Sequence, residues 1–162
     1  MEPIQSNKIY PIGIQNFEKM RKGGYFYVDK TALVYRLVKT GSFYFLSRPR
    51  RFGKSLLIST LEAYFQGKKE LFEGLAMEKL EKDWIKRPVL HIDLNIGKYD
   101  TPDSLDKQLE KAVTEWEQLY GTGMAESTLA LRFAGVVRRA CEQTGQRVAI
   151  LIDEYDKPML QA

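Results

Sequence analysis

Cysteine and histidine are nearly missing from this sequence, with one of each in 162 residues. Cys141 therefore has no partner for an intrachain disulfide, which is typical of a reducing compartment, and we expect a cytoplasmic location. We expect Cys141 to pack on a helix face rather than act as a nucleophile. His91 has no second histidine or nearby cysteine to complete a zinc-type site, so we expect it to have a structural role in a strand.

Long apolar runs are also absent. No segment approaches the roughly 18 consecutive apolar residues that a membrane span needs, so we expect no membrane partner. The first residues lack the apolar stretch of a secretion signal. With 44% hydrophobic and 28% charged residues, the composition is that of an ordinary globular protein, and the length predicts one domain over residues 1–162.

Acidic residues are missing from one region, although the chain has 21 of them. Between Lys30 and Leu61 there are seven basic residues and no acidic one, whereas the remainder has 18 basic and 21 acidic residues. The positive charge is therefore concentrated around one segment. Such a field suits a polyphosphate or a nucleic acid, and charge alone does not separate the two.

That basic region contains a strand, loop and helix pattern. Phe43–Leu46 is a short aromatic and apolar run, typical of a buried strand. Ser47–Phe52 must be a loop, because Pro49 has no N–H to donate to a sheet. Gly53-Lys54-Ser55 then opens a largely apolar segment that predicts a mostly buried helix up to Phe65.

A strand, a loop, Gly-Lys-Ser and a helix are together the context of a phosphate-binding P-loop. The free N–H groups and the positive dipole end of the helix would face an anion. Lys54 would reach the β- and γ-phosphates, and the Ser55 hydroxyl would bind Mg²⁺. The usual motif has a glycine where this chain has Arg48, so we expect a different loop path there. The alternative is a basic loop without a ligand.

Two further segments predict strands. Val89–Leu94 alternates, which predicts one buried face, whereas Val148–Ile152 is continuously apolar and is expected to be covered on both faces. Helices are predicted at Lys30–Thr40 with Asp29 as N-cap, from a Thr101 cap, and from a Ser127 cap. Because strands alternate with helices, we predict an α/β fold with a parallel sheet, whose ligands bind at the carboxyl ends of the strands.

Two acidic residues, Asp153 and Glu154, follow directly after the last apolar strand. In the form of a Walker B strand, Asp153 would hold Mg²⁺, directly or through water, and Glu154 would deprotonate the attacking water. The alternative is a pair of solvated acids after a buried strand. Asp93 ends the preceding strand, and we expect it to lie beside the Asp153 strand, either facing the nucleotide or with a structural role.

Four segments together resemble the bacterial AAA-ATPase-like family. They are Pro11–Ile14, Tyr27–Thr31, Phe45–Ser55 and Ile152–Pro158, and the last two are the most specific. Members of this family have an N-terminal P-loop ATPase domain, often followed by a nuclease-like domain of the PD-(D/E)xK type. Arg48 matches the family's own loop.

The resemblance implies a P-loop NTPase three-layer sandwich, of which this chain would lack the C-terminal strands. ATP and Mg²⁺ are the implied ligands, with Ser55 and Asp153 at the metal and Lys54 and Glu154 as catalytic groups. The nucleotide would contact the loop and the helix start, at Arg50, Arg51, Phe52, Gly53, Lys54, Ser55 and Leu56. Arg50 and Arg51 would bind phosphate or act on a neighbouring subunit's nucleotide, or form a solvated basic loop.

Three functions stay open at this point. The first is an ATP-binding module that hydrolyses ATP in a complete protein to drive or regulate a partner, such as a downstream nuclease-like domain. The second is a regulatory switch that binds ATP with little turnover. The third is a nucleic-acid-binding module that uses the basic stretch with Tyr44, Phe45 and Phe52. Because the chain ends soon after Glu154, we expect slow hydrolysis by the isolated chain and some self-association into homo-oligomers.

Overall fold

The computed structural model describes residues 9–46 and 53–161. Contacts divide the chain into two compact units, Met1–Ile85 and Lys86–Ala162. Helices combine with a two-stranded parallel sheet, so the α/β class is confirmed. The three-layer sandwich and the single-domain boundary stay predictions. In the described ranges, no helix has both the length and the apolar character that crossing a membrane requires.

The first unit is helical in its described residues. Its elements are α1 (Phe17–Lys22), α2 (Thr31–Thr40), α3 (Lys54–Phe65), a 3-10 helix (Lys69–Phe72) and α4 (Ala76–Leu80). Phe17, Phe72 and Met77 are fully buried. The Phe17 and Phe72 rings lie 4.9 Å apart between centroids, and Trp84 packs on Phe72 at 5.1 Å. Burial of such large side chains is the main stabilising contribution to this unit.

Asp29 joins the start of α2 to the start of α4. Its Oδ1 accepts hydrogen bonds from the Thr31 N–H at 2.9 Å and the Thr31 hydroxyl at 2.6 Å. Its Oδ2 accepts from the N–H of Ala76 at 2.7 Å, and Thr31 Oγ1 accepts from the N–H of Met77 at 3.0 Å. The helix therefore begins at Thr31, one residue after the predicted start.

The predicted strand at Phe43–Leu46 is wrong. These residues form no strand, and Phe43 and Phe45 are 96% and 77% exposed. The run is apolar, but a strand needs a hydrogen-bonded neighbour, and in the described ranges the only paired strands belong to the second unit. Tyr25–Val28, another short aromatic segment, likewise forms no strand.

The second unit contains the sheet and its covering helices. Its elements are β1 (Val89–Asp93), α5 (Ser104–Tyr120), α6 (Leu129–Thr144), β2 (Ala149–Asp153) and α7 (Lys157–Gln161). β1 and β2 pair in parallel, with Asp93 opposite Asp153. Leu90 of β1 is buried with Val113 of α5 and Val136 of α6, so one sheet face packs on this helix pair.

Details of the second unit correct several sequence-based expectations. β2 is not covered on both faces, since Ile150 and Ile152 are 43% and 49% exposed. α5 begins at Ser104, because Thr101–Asp103 forms a turn. Cys141 is exposed rather than packed.

The cap of α6 also differs from the expected one. Thr128 and not Ser127 caps the helix, and its side chain accepts a hydrogen bond from the N–H of Leu131 at 3.2 Å. The helix ends at Gly145, which has a left-handed φ of 67°.

Two ion pairs stabilise the α5–α6 side of the unit. Arg132 donates from Nε and Nη2 to the two carboxylate oxygens of Glu117, at 2.9 and 2.7 Å. Arg139 donates from Nη1 and Nη2 to Glu126, at 2.5 and 3.2 Å. Forked arginine–carboxylate pairs of this kind fix side-chain orientation better than single contacts do.

Candidate functional site

The start of α3 has the features of an anion-binding helix terminus. Gly53 precedes the helix at φ 77°, ψ 18°, in the left-handed region that favours glycine. Apart from Gly53 itself and its two chain neighbours, no described residue has an atom within 4 Å of the position where a Cβ would be added to Gly53. No side chain of a described residue caps the helix, whereas Thr128 caps α6. The first N–H groups of α3 and its positive dipole end therefore remain available to an anion.

Polar contacts hold α3 in place beneath this terminus. The N–H of Phe17 donates to Ser59 Oγ at 2.9 Å, which ties α1 to α3. The hydroxyls of Ser59 and Thr60 both donate to the carbonyl of Leu56, at 3.0 and 2.7 Å. Thr60, Leu61 and Ala63 are buried, in contrast to the first turn. The C-terminal half of the helix anchors it, so the first turn is left free to bind a ligand.

Lys54, Ser55 and Leu56 form that first turn and are all partly exposed. Lys54 has no ion pair with any described residue, and the first turn contains no acidic side chain. An ammonium group without a carboxylate partner, next to free helix N–H groups, fits a phosphate group. The predicted Gly53, Lys54 and Ser55 constellation is thus present locally. The other predicted contacts, Arg50, Arg51 and Phe52, lie outside the described residues.

The predicted acids lie at the carboxyl end of β2. Asp153 is the last strand residue and is partly buried. The N–H of Leu94 donates to the Asp153 carbonyl at 3.0 Å, which fixes the strand end to β1. Asp153 Oδ1 accepts from the N–H of Glu154 at 2.9 Å, which leaves Oδ2 for a ligand. The expectation that Asp93 neighbours the Asp153 strand is confirmed by the register.

Glu154 has an unusual backbone conformation, with φ 55°. A non-glycine residue in the left-handed region costs about 1 kcal/mol or more and persists only where its surroundings impose it. Such strain is frequent at functional sites. Here it turns the chain sharply between β2 and α7, directly after Asp153.

The donor set at this strand end fits magnesium better than zinc. Over the described residues, no group of three or more His, Cys, Asp or Glu side chains is arranged to hold a metal ion. Mg²⁺ is usually bound through one or two carboxylates together with water and substrate phosphates. A single carboxylate such as Asp153 meets that requirement, and His91, partly buried in β1, is not needed.

Asn95 and Lys157 have no role that is evident from the sequence alone, but they lie together in the structure. Lys157 Nζ donates to the carbonyl oxygen of Asn95 and to its Oδ1, the latter at 3.2 Å. Lys157 lies in the Ile152–Pro158 segment that carries the family resemblance, and this was the signal available in the sequence. Its partner is 62 residues away, so no local pattern could identify it.

Comparison with known proteins gives two findings. A family model described as "Predicted AAA-ATPase" matches residues 11–162. A protein of Azotobacter chroococcum mcd 1, described as "Uncharacterized protein in vnfD 5'region", is 43% identical over 157 residues. The alignment covers 96% of this chain but 30% of the relative's length. No solved structure matches.

Proposed function

Because the chain belongs to the AAA-ATPase-like family, we propose that it binds Mg·ATP and, within a longer protein, hydrolyses it to drive or regulate a partner domain. The observation that carries this proposal is the start of α3. There, a helix start that no described side chain caps, a left-handed Gly53 and a Lys54 without an ion pair to any described residue coincide. Each of the three favours a phosphate ligand for an independent reason: free N–H donors, close backbone approach and positive charge.

Phosphate binding, metal binding and proton acceptance are assigned to different residues of the proposed site. The N–H groups of the α3 first turn and the Lys54 ammonium would bind phosphate oxygens, and the Ser55 hydroxyl would be a metal ligand. Asp153 would hold the metal, directly or through water. Bound Mg²⁺ supplies neutralisation of the phosphate charge. Glu154 would orient a water molecule and accept its proton, since a carboxylate is a competent base.

The proposal includes a partner domain because this chain is much shorter than the relative that it matches. The chain spans 30% of the curated relative that it matches, so that relative has room for further domains. A nuclease-like domain is the candidate that the family resemblance suggests. A nucleotide-dependent switch with little turnover would use the same binding residues, and measured turnover separates the two.

Calorimetric titration with Mg·ATP tests the binding proposal. Lys54→Ala should weaken binding about tenfold or more, because a hydrogen bond to a charged group contributes about 1.5–3 kcal/mol. Lys69→Ala is the matched control, since it removes an exposed lysine from the same unit and should leave the affinity unchanged. A folded Lys54→Ala protein with the parent's affinity would overturn the phosphate-binding role of α3.

A second candidate function gains support from the exposed aromatic segment. Phe43, which is 96% exposed, lies within the basic stretch between Lys30 and Leu61 and is available for base stacking. Single-stranded nucleic acid bound in this way should lose affinity steeply with rising salt. Phe43→Ala should then weaken binding of an oligonucleotide but leave Mg·ATP affinity unchanged.

A further inference from the structure

A two-residue clasp, formed by Asn95 and Lys157, connects the end of β1 to the start of α7. Lys157 Nζ donates to both the backbone carbonyl and the side-chain Oδ1 of Asn95. Asn95 is itself held, because its N–H donates to Asp93 Oδ1 at 2.8 Å. The clasp is therefore anchored to the strand that pairs with β2.

The clasp closes the segment that contains the acidic pair. At one end, Asp153 is fixed by its place in β2 and by the N–H of Leu94. At the other end, the N–H of Lys157 donates to the Glu154 carbonyl at 3.1 Å, and its side chain reaches Asn95. The strained Glu154 lies between these two fixed points. Strain of this kind needs a surrounding structure that imposes it, and the clasp supplies one.

The chemistry of the clasp is also informative. Three acidic residues, Asp153, Glu154 and Asp156, lie within four positions of Lys157, yet its ammonium binds two neutral oxygens. In the described part of the chain, no ion pair involves Asp153 or Glu154. The lysine thus orders the segment without neutralising the carboxylates that a metal and a water molecule would require.

We infer that Asn95 and Lys157 are positioning residues for the Asp153-Glu154 pair. This inference rests on the proposed function. It names the residues that hold the segment with the proposed metal-binding carboxylate, Asp153. Groups that orient a metal ligand without touching the metal typically change metal affinity by about 10–100-fold when they are removed. A tie that only stabilises α7 would change the unfolding midpoint and leave metal affinity intact.

The test measures ATP affinity by calorimetry with Mg²⁺ and again with EDTA. We expect the parent to bind more tightly with Mg²⁺ than without it. In Lys157→Met, the increase in ATP affinity caused by Mg²⁺ should be about tenfold smaller than in the parent. The affinity measured in EDTA should equal the parent's. Lys157→Arg should restore most of the gain, since its guanidinium can also donate to both Asn95 oxygens. Lys107→Met, which removes an exposed ammonium paired with Asp103, is the control for loss of charge.

Asn95→Ala is a second variant, in case Lys157→Met does not fold. It removes Oδ1 and keeps the backbone carbonyl, so a smaller loss of the Mg²⁺-dependent gain is expected. Full retention of the gain in a folded Lys157→Met or Asn95→Ala protein overturns the inference, even while Lys54→Ala still weakens binding. A parent that binds no ATP in either condition overturns the proposed function itself, and the parent titration alone shows this.

Discussion

Glu81 makes the stability of the first unit depend on pH. Its side chain is 4% exposed, and Oε2 accepts from the hydroxyl of Tyr64 in α3 at 2.5 Å and pairs with Lys39 of α2 at 2.9 Å. Oε1 accepts from the N–H groups of Lys82 and Asp83. Burial by itself would raise the pKa of Glu81. The hydrogen bonds from Tyr64 and Lys39 outweigh burial and lower this pKa from 4.5 to about 2.

The contribution of the Glu81 carboxylate to the free energy of unfolding follows from the linkage between protonation and folding. Because the pKa is lower in the folded state, the ionised carboxylate stabilises the fold above pH 4.5, and this stabilisation is lost as the pH falls toward 2. A shift of this size corresponds to about 3 kcal/mol at pH 7 and about half of that at pH 3. Glu81→Gln removes the ionisation, so the free energy of unfolding should fall by about 3 kcal/mol at pH 7.

Urea unfolding between pH 7 and pH 3 measures this difference. A Trp116→Phe background leaves Trp84 as the fluorescent reporter of the first unit, since its ring packs on Tyr64 and Phe72. The parent and the Glu81→Gln variant should differ in their free energy of unfolding, and this difference should be about 2 kcal/mol smaller at pH 3 than at pH 7. Glu70→Gln, which removes an exposed carboxylate, should show no such narrowing. A gap that stays constant across this pH range would refute the assigned role of the Tyr64 and Lys39 contacts.

Two further predictions concern the second unit. Gly135→Ala should destabilise the protein by about 1–3 kcal/mol, although alanine normally favours a helix. An added Cβ would lie 1.7 Å from Glu126 Oε1 and would displace the carboxylate from Arg139; unchanged urea midpoints would contradict this reasoning. Glu154→Gln should bind Mg·ATP like the parent and lose turnover, because glutamine cannot accept the proton from water. Phosphate release by the variant at the parent's rate would show that Glu154 is not the base.

The helices and the sheet could be predicted from local patterns. Gly53 before an apolar segment marked the start of α3, and Gly121 and Gly145 marked the ends of α5 and α6. The parallel pairing of β1 and β2 followed from alternation of strands and helices. Helix starts were wrong by one or two residues, because several polar residues in a row could each serve as the cap.

The structural features that could not be predicted depend on contacts between residues that are far apart in the sequence. Phe43–Leu46 has the composition of a strand, but composition does not supply the neighbour that a strand requires. The clasp joins residues 62 positions apart, and Asp29 reaches Ala76, 47 positions away. The residues proposed for the site, Lys54, Ser55, Asp153 and Glu154, have local signals in the sequence, whereas the groups that hold their segments in place have none.

Amide NMR during a titration with Mg·ATP shows whether the start of α3, which no described side chain caps, binds the phosphates of the nucleotide. The N–H signals of Lys54, Ser55 and Leu56 should shift together and saturate with a single dissociation constant. The first-turn signals of α6 are the internal control, since Thr128 already caps that helix, and they should not move. Unshifted α3 signals at millimolar Mg·ATP, or equal shifts at both helix starts, would contradict specific phosphate binding at the start of α3.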